Sequence, residues 1–139
     1  MITQQVCNIF KLNVLKGLED FDSGSSYTYK IALYDSTANL SASTTAYSTT
    51  GEVTGTGYTA GGKTLTKVSP SLSGSTAVVT FNNVTWNPAS FTTRGALIYN
   101  STTGAAVAVL NFGEDKTAVS TFTVTFPTAD ANNAIIRIS

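Results

Sequence analysis

From Tyr27 onward, apolar and polar residues alternate with a period of two, and that spacing constrains the fold more than any other feature of the chain. In "TFTVTF" (121–126), Phe122, Val124 and Phe126 face one way, and Thr121, Thr123 and Thr125 the other. "TAVVTF" sets Ala77, Val79 and Phe81 on one face, and "AIIRI" points Ala134, Ile136 and Ile138 inward with Arg137 outward. "YTYKIALY" alternates Tyr27, Tyr29, Ile31 and Leu33 against Thr28, Lys30, Ala32 and Tyr34. Successive side chains of an extended strand point to opposite faces, so each segment reads as a strand with one buried face. "KTLTKV", "GALIY" and "AAVAVLNF" fill the remaining strand positions. Turn clusters "SPSLSG", "FNN", "WNPAS", "STTG", "FGEDK" and "PTADANN" separate them. Short strands joined at regular intervals by turns predict a mainly β chain, an antiparallel β-sandwich or jelly-roll-like domain over residues 26–139.

The first 25 residues follow a different rule. In "TQQVCNIFKLNVLKGLEDF", Val6, Ile9, Phe10, Val14, Leu15 and Leu18 recur at helical intervals, with Gln4, Gln5, Asn8, Lys11 and Lys16 mostly between them. Thr3 is placed to cap the start of a short α-helix, and Gly17 with "FDSGSS" marks its end. Val6, Ile9, Phe10 and Leu15 form an apolar stripe wide enough to need a partner, and a helix this short is marginal alone in water. Two partners are open to it: a neighbouring subunit, or a face of its own sheet.

With 139 residues the chain forms one domain, large enough to bury a core without staples. Ser and Thr make up roughly a quarter of it, and β-branched Thr on wet strand faces accounts for much of that share. Eight basic and eight acidic side chains cancel. No run of basic residues supplies the positive face that nucleic acid requires. The longest apolar stretch, "GAAVAVL", is too short to cross a bilayer as a helix, and "MITQQVCNIFK" lacks the plan of a secretory signal. So weakly charged a surface suits a protein packed against neighbours.

One stretch argues for something else. "GYTAGGKT" (57–64) fits the phosphate-binding pattern G-x-x-x-x-G-K-[ST] at each fixed position. That loop works only where a buried strand enters it and a helix leaves it with its amides facing the phosphates. Here "LTKVSPSLSGS" follows, with Pro70 and Gly74, and no helix survives that sequence. The preceding "AYSTTGEVTGT" is too polar for the usual entering strand. The expectation is a structural loop in which Gly55, Gly57, Gly61 and Gly62 provide positive φ and close backbone approach between strands.

Residues for catalysis are scarce. The chain has no histidine, which removes histidine-dependent triads and the common zinc sites. Cys7, the single cysteine, sits on the apolar side of the helix pattern and reads as a buried hydrophobe. "EDFDSG" (Glu19, Asp20, Asp22) opens like a calcium loop, but Ile31 stands at the twelfth position counted from Asp20. "GEDK" (Glu114, Asp115, Lys116) reads as a hairpin turn, and Glu52 stands alone among Thr and Gly. No catalytic, cofactor or metal site is expected. Trp86, Phe91, Tyr58 and Tyr99 offer one alternative, a sugar-stacking face, weighed against an ordinary core tryptophan beside a proline corner.

Two blocks carry a resemblance. "KIALYDSTANL…GEVTGTGYTAGGKTLT" and "FTTRGALIYN…AVAVLNFGEDKTAVSTFTVTFPTADANNAIIRI", spanning Lys30 to Ile138, resemble a family of small virion structural proteins of tailed bacteriophages. That family shows a "K-[IV]-AL" strand, an "EV-x-G-x-GY-x-AGG" loop, an "ARGALIY"-like strand and an "FG-x-DK" turn in this order. The resemblance implies a non-enzymatic place in the virion. Foremost is a capsid decoration (cement) protein on the phage head surface, assembled in the host cytoplasm and bound to the major capsid protein, as a homo-oligomer such as a trimer. A tail, neck or fibre-base component is the alternative within the virion. A carbohydrate-binding host-attachment module is the alternative outside that class.

Overall fold

A computed structural model describes the whole chain, Met1–Ser139. In chain order the elements are β1 (Gln5–Val6), α1 (Asn8–Leu15), β2 (Tyr29–Tyr34), β3 (Lys63–Thr64), β4 (Lys67–Ser73), β5 (Thr76–Phe81), β6 (Val84–Trp86), β7 (Phe91–Asn100), β8 (Ala106–Ala118), β9 (Phe122–Val124) and β10 (Ile136–Ile138). They form a five-stranded sheet ordered β1-β8-β7-β2-β3, a three-stranded sheet β10-β5-β4 and a two-stranded sheet β6-β9. Every pairing is antiparallel. One hydrophobic cluster joins residues of all three sheets, so the chain is a mainly β, sandwich-like domain with one short helix.

Strand β2 lies between β7 and the two-residue edge strand β3 in the large sheet, and Tyr29, Ile31, Ala32, Leu33 and Tyr34 are all fully buried. Here both faces are covered, whereas alternation anticipates one. Tyr29 stacks on Phe21 at 4.4 Å and lies near Phe81 of β5. On the opposite face, Tyr34 donates its hydroxyl hydrogen to Ser48 O (2.6 Å), under the long 35–62 connection. That connection contributes Ala38, Leu40 and Val53 to the core.

Elsewhere the alternation holds in β9, whereas Gly95–Asn100 of β7 and Ala106–Val109 of β8 are buried on both faces. Val124 is buried, Phe122 and Phe126 are half-buried against the core, and Thr121, Thr123 and Thr125 are exposed. Val79 and Phe81 pack on the core, while Val78 is also buried outside that cluster, across from Arg137 and Ser71. Ile136 is buried and Arg137 exposed, but Ile138 is 57% exposed, contrary to the inward position its spacing suggests. It belongs to the end of an end strand, where little lies above it.

Two expected turns lie inside strands. "SPSLSG" falls mostly in β4, with Pro70 at a register shift between Val68 and Ser71. An edge strand tolerates proline at such a bulge because no ladder bond is demanded of its nitrogen. "FGEDK" lies within β8 and makes no hairpin. Gly95 pairs with Asn111 and Thr93 with Lys116, so residues 112–115 bulge opposite Arg94 alone. The bulge brings Asp115 to 3.6 Å from Arg94 and Glu114 to 2.7 Å from Lys116.

The N-terminal segment departs furthest from its expected form. Helix α1 has only eight residues and begins after Cys7, not after a Thr3 cap. Gln5 and Val6 pair with Val109 and Ala108 of β8 instead. A free sheet edge offers those residues backbone partners that a marginal helical turn does not. The predicted C-terminus stands: Gly17 adopts φ +70°, its N–H reaches Val14 O (3.1 Å), and the Leu18 N–H reaches Asn13 O (2.9 Å). These two bonds close the helix with a left-handed glycine. Ile2, Cys7, Phe10 and Phe21 all join the main core cluster, so residues 1–25 pack as part of the same body as the strands.

Candidate functional site

The loop that mimics a phosphate site is held shut by backbone. Gly55, Gly57, Gly61 and Gly62 all take positive φ. A β-carbon on Gly57 would stand 1.8 Å from Pro88 O, and one on Gly62 1.8 Å from Ile31 O. After Gly62 the chain enters β3 against β2, and no helix follows. Lys63 Nζ donates to Thr85 O (2.6 Å) and lies 5.8 Å from the centre of the Trp86 ring. The amides that would cradle phosphate are committed elsewhere: Gly61 N–H donates to Glu52 Oε2 (2.8 Å) and Gly62 N–H to Thr59 O (3.0 Å).

Glu52, isolated in the sequence, is the hub of this region. It is buried, and it accepts hydrogen bonds from Tyr47 Oη (2.6 Å) and Tyr58 Oη (2.5 Å) besides the Gly61 amide. Tyr58 Oη in turn accepts the Leu33 N–H of β2 (2.9 Å), and Tyr99 Oη donates to Gly61 O (2.6 Å). A buried carboxylate is tolerable only when such donors replace its water. Burial first, and the neighbouring Glu52 carboxylate second, push the Tyr34, Tyr47, Tyr58 and Tyr99 phenols above their ordinary value. The network therefore consists of phenols donating to one acid and fixes the glycine loop onto β2. Its sequence signal is a glutamate, a tyrosine and four glycines within a dozen residues, flanked by polar letters.

The other chemistry-bearing residues are dispersed. Trp86 is 1% exposed, Phe91 and Tyr99 are buried, and Tyr58 is half-buried, so these rings form part of the core and present no open stacking face. Glu19 accepts from Tyr29 Oη (3.1 Å) and Asn100 Nδ2 (3.3 Å), and burial raises its carboxyl above the usual range. Asp22 accepts from Ser69 Oγ (2.6 Å), which lowers its pKa, and Asp20 Oδ1 accepts the Asp22 N–H. No group of three His, Cys, Asp or Glu side chains converges as metal ligands. Burial pushes the Cys7 thiol up to about 11, which leaves it protonated and inert.

What remains is a surface. Of the four residues in the N-terminal stripe, Phe10 is buried in the domain's own core, Val6 and Ile9 are half-buried, and Leu15 is 86% exposed. Leu12 and Leu18, on the same segment, are exposed as well. Between this segment and β10 runs an open groove of about 360 Å³, with Val6, Phe10, Val14 and Leu15 on one wall and Ile136 and Ile138 on the other. Lys11 and Arg137 stand in the same lining. The stripe thus divides its residues between covering its own sheet and leaving apolar surface outside. No family model, curated protein or solved structure matches the chain.

Proposed function

We propose that this chain is a non-enzymatic virion structural protein, a capsid decoration protein that binds the outer surface of the major capsid shell. The observation that carries an attachment role is the apolar groove between α1 and β10, with Leu15 and Ile138 exposed at it. Burying one such side chain against a partner contributes about 1.5–3 kcal/mol, so these two alone supply a useful share of a binding energy. The rest of the exterior is rich in Ser and Thr and low in charge, which suits dense packing beside identical neighbours.

The virion assignment rests on the resemblance of the Lys30–Ile138 blocks. The structure gives the letters of its loop motif physical work that favours a scaffold role. Glu52 anchors the loop, Val53 fills the core, Tyr58 bridges Glu52 to β2, and Gly57 and Gly62 let backbone meet backbone. Such a motif maintains a shape. Co-sedimentation of the purified protein with capsid shells lacking it tests the reading directly. Saturable binding at a fixed ratio to the shell protein, reduced by Leu15→Asp, supports it. Absence of binding to intact shells overturns it.

A further inference from the structure

The α1–β10 groove runs along an edge that differs from the far edge of its own sheet, and its lining bears on its occupant. Strand β10 ends the β10-β5-β4 sheet, and its side away from β5 has no partner strand. The opposite end strand, β4, carries Pro70 and a bulge, devices that blunt an edge against pairing. Neither proline nor bulge occurs in the three-residue β10 (Ile136, Arg137 and Ile138), whose one charge, Arg137, selects among partners instead of excluding them all. All three of these consecutive residues line the groove. Neighbouring residues of a strand point to opposite faces, so a groove touched by all three runs along the edge of the strand, not over one face.

Charge narrows the choice further. The only ionised side chains lining the groove are Lys11 and Arg137, both cationic, and neither is in a salt bridge with an acid. Arg137 donates to Ala131 O and retains further donors. A second copy of this chain docking the same face would bring these cations together. We infer that the groove receives an extended segment of another polypeptide in which apolar residues alternate with carboxylates. The segment adds as a strand to β10, seats its apolar side chains between Leu15 and Ile138, and meets Lys11 and Arg137 with its acids. This deepens the attachment reading and rests on it for the identity of the partner, which would then be an acidic extended segment of the shell protein.

Fluorescence anisotropy with the full-length protein tests it. The probe is a labelled nonapeptide in which valine or leucine alternates with glutamate, compared with the same peptide carrying lysine in place of glutamate. The acidic peptide is expected to bind roughly fivefold to tenfold more tightly, the discrimination two surface charge pairs provide. Lys11→Glu with Arg137→Glu should reverse that preference, and N-methylation of the peptide backbone should abolish binding while leaving its side chains intact. Amide exchange of residues 136–138 should slow on binding. Equal affinity for the two peptides, or a preference unmoved by the charge reversal, would overturn the inference, as would binding that survives N-methylation. Peptide discrimination without binding to shells keeps the groove and removes the virion assignment. Binding to shells without peptide discrimination does the reverse.

Discussion

Replacing Gly62 by Ala should destabilise the domain far more than placing Ala at an exposed turn glycine with the same sign of φ. Gly62 has φ +79° and Gly74 has φ +63°, so both replacements incur the left-handed penalty of roughly 1–2 kcal/mol. A less flexible unfolded chain returns about 0.4–1 kcal/mol at each. The surroundings then separate them. Nothing lies within 4 Å of a β-carbon on Gly74, whereas one on Gly62 meets Ile31 O at 1.8 Å, Ile31 C at 2.6 Å and Ala32 Cα at 2.8 Å. Ordinary contact begins at 3.4 Å, so the two backbones must part by about 1.6 Å, the difference between 3.4 and 1.8. Ile31 and Ala32 of β2 are fully buried and cannot retreat, so β3 must move off, disturbing the Lys30–Thr64 and Ile31–Lys63 pairs. Two lost ladder bonds at about 1 kcal/mol each and overpacking of about 1–3 kcal/mol bring the total to roughly 3–7 kcal/mol. Gly74→Ala should stay within about 1 kcal/mol of the parent. Urea unfolding followed by Trp86 fluorescence measures both. Gly61→Ala, with φ +97° and only Tyr99 Oη nearby at 3.6 Å, serves as the control for strain without collision. Equal costs at Gly62 and Gly74 would refute the claim that these glycines exist for close approach.

Three further outcomes follow from the same geometry. Stability should fall as pH rises above about 10, because the unfolded chain then loses phenolic protons that folded Tyr47 and Tyr58 retain; Tyr58→Phe should flatten that fall in urea titrations at successive pH values, and an unchanged slope would count against the network. Calorimetry with ATP or GTP and Mg²⁺ should show no saturable heat, and Lys63→Ala should leave this unchanged; a micromolar affinity lost in that variant would restore the phosphate-loop reading. Val124→Ala should cost about 1–3 kcal/mol and Thr123→Ala about 0.5 kcal/mol or less by thermal unfolding, since the first is buried and the second exposed; equal costs would mean that β9 is covered on both faces.

The strands were legible because burial on one face leaves a period-two imprint, as in Phe122, Val124 and Phe126. That imprint fails wherever both faces are covered, as at Ala32 and Tyr34, and it cannot tell a turn from a bulge. "FGEDK" has the composition of a hairpin turn, yet a 13-residue β8 carries it as a bulge opposite Arg94. Pro70 reads as a breaker unless the strand is known to lie at an edge, and edge position depends on strand order. Val6 has helical spacing from Ile9 and Phe10, but pairing with Ala108 decides its conformation, and no local pattern records a partner a hundred residues away. The role of Glu52 was hidden for the same reason. Its donors Tyr47, Tyr58 and Gly61 are near in sequence, but the folding of the 35–62 connection onto β2 is what turns them into a network. The open groove needed β10 beside α1, from the two ends of the chain.

Electron cryomicroscopy of particles assembled with and without this chain tests the central proposal most directly. Difference density should appear in many symmetry-related copies over the outer surface of the head, with the α1–β10 face turned toward the shell. Density restricted to the tail, neck or a single vertex, or no difference between the two particles, would contradict it.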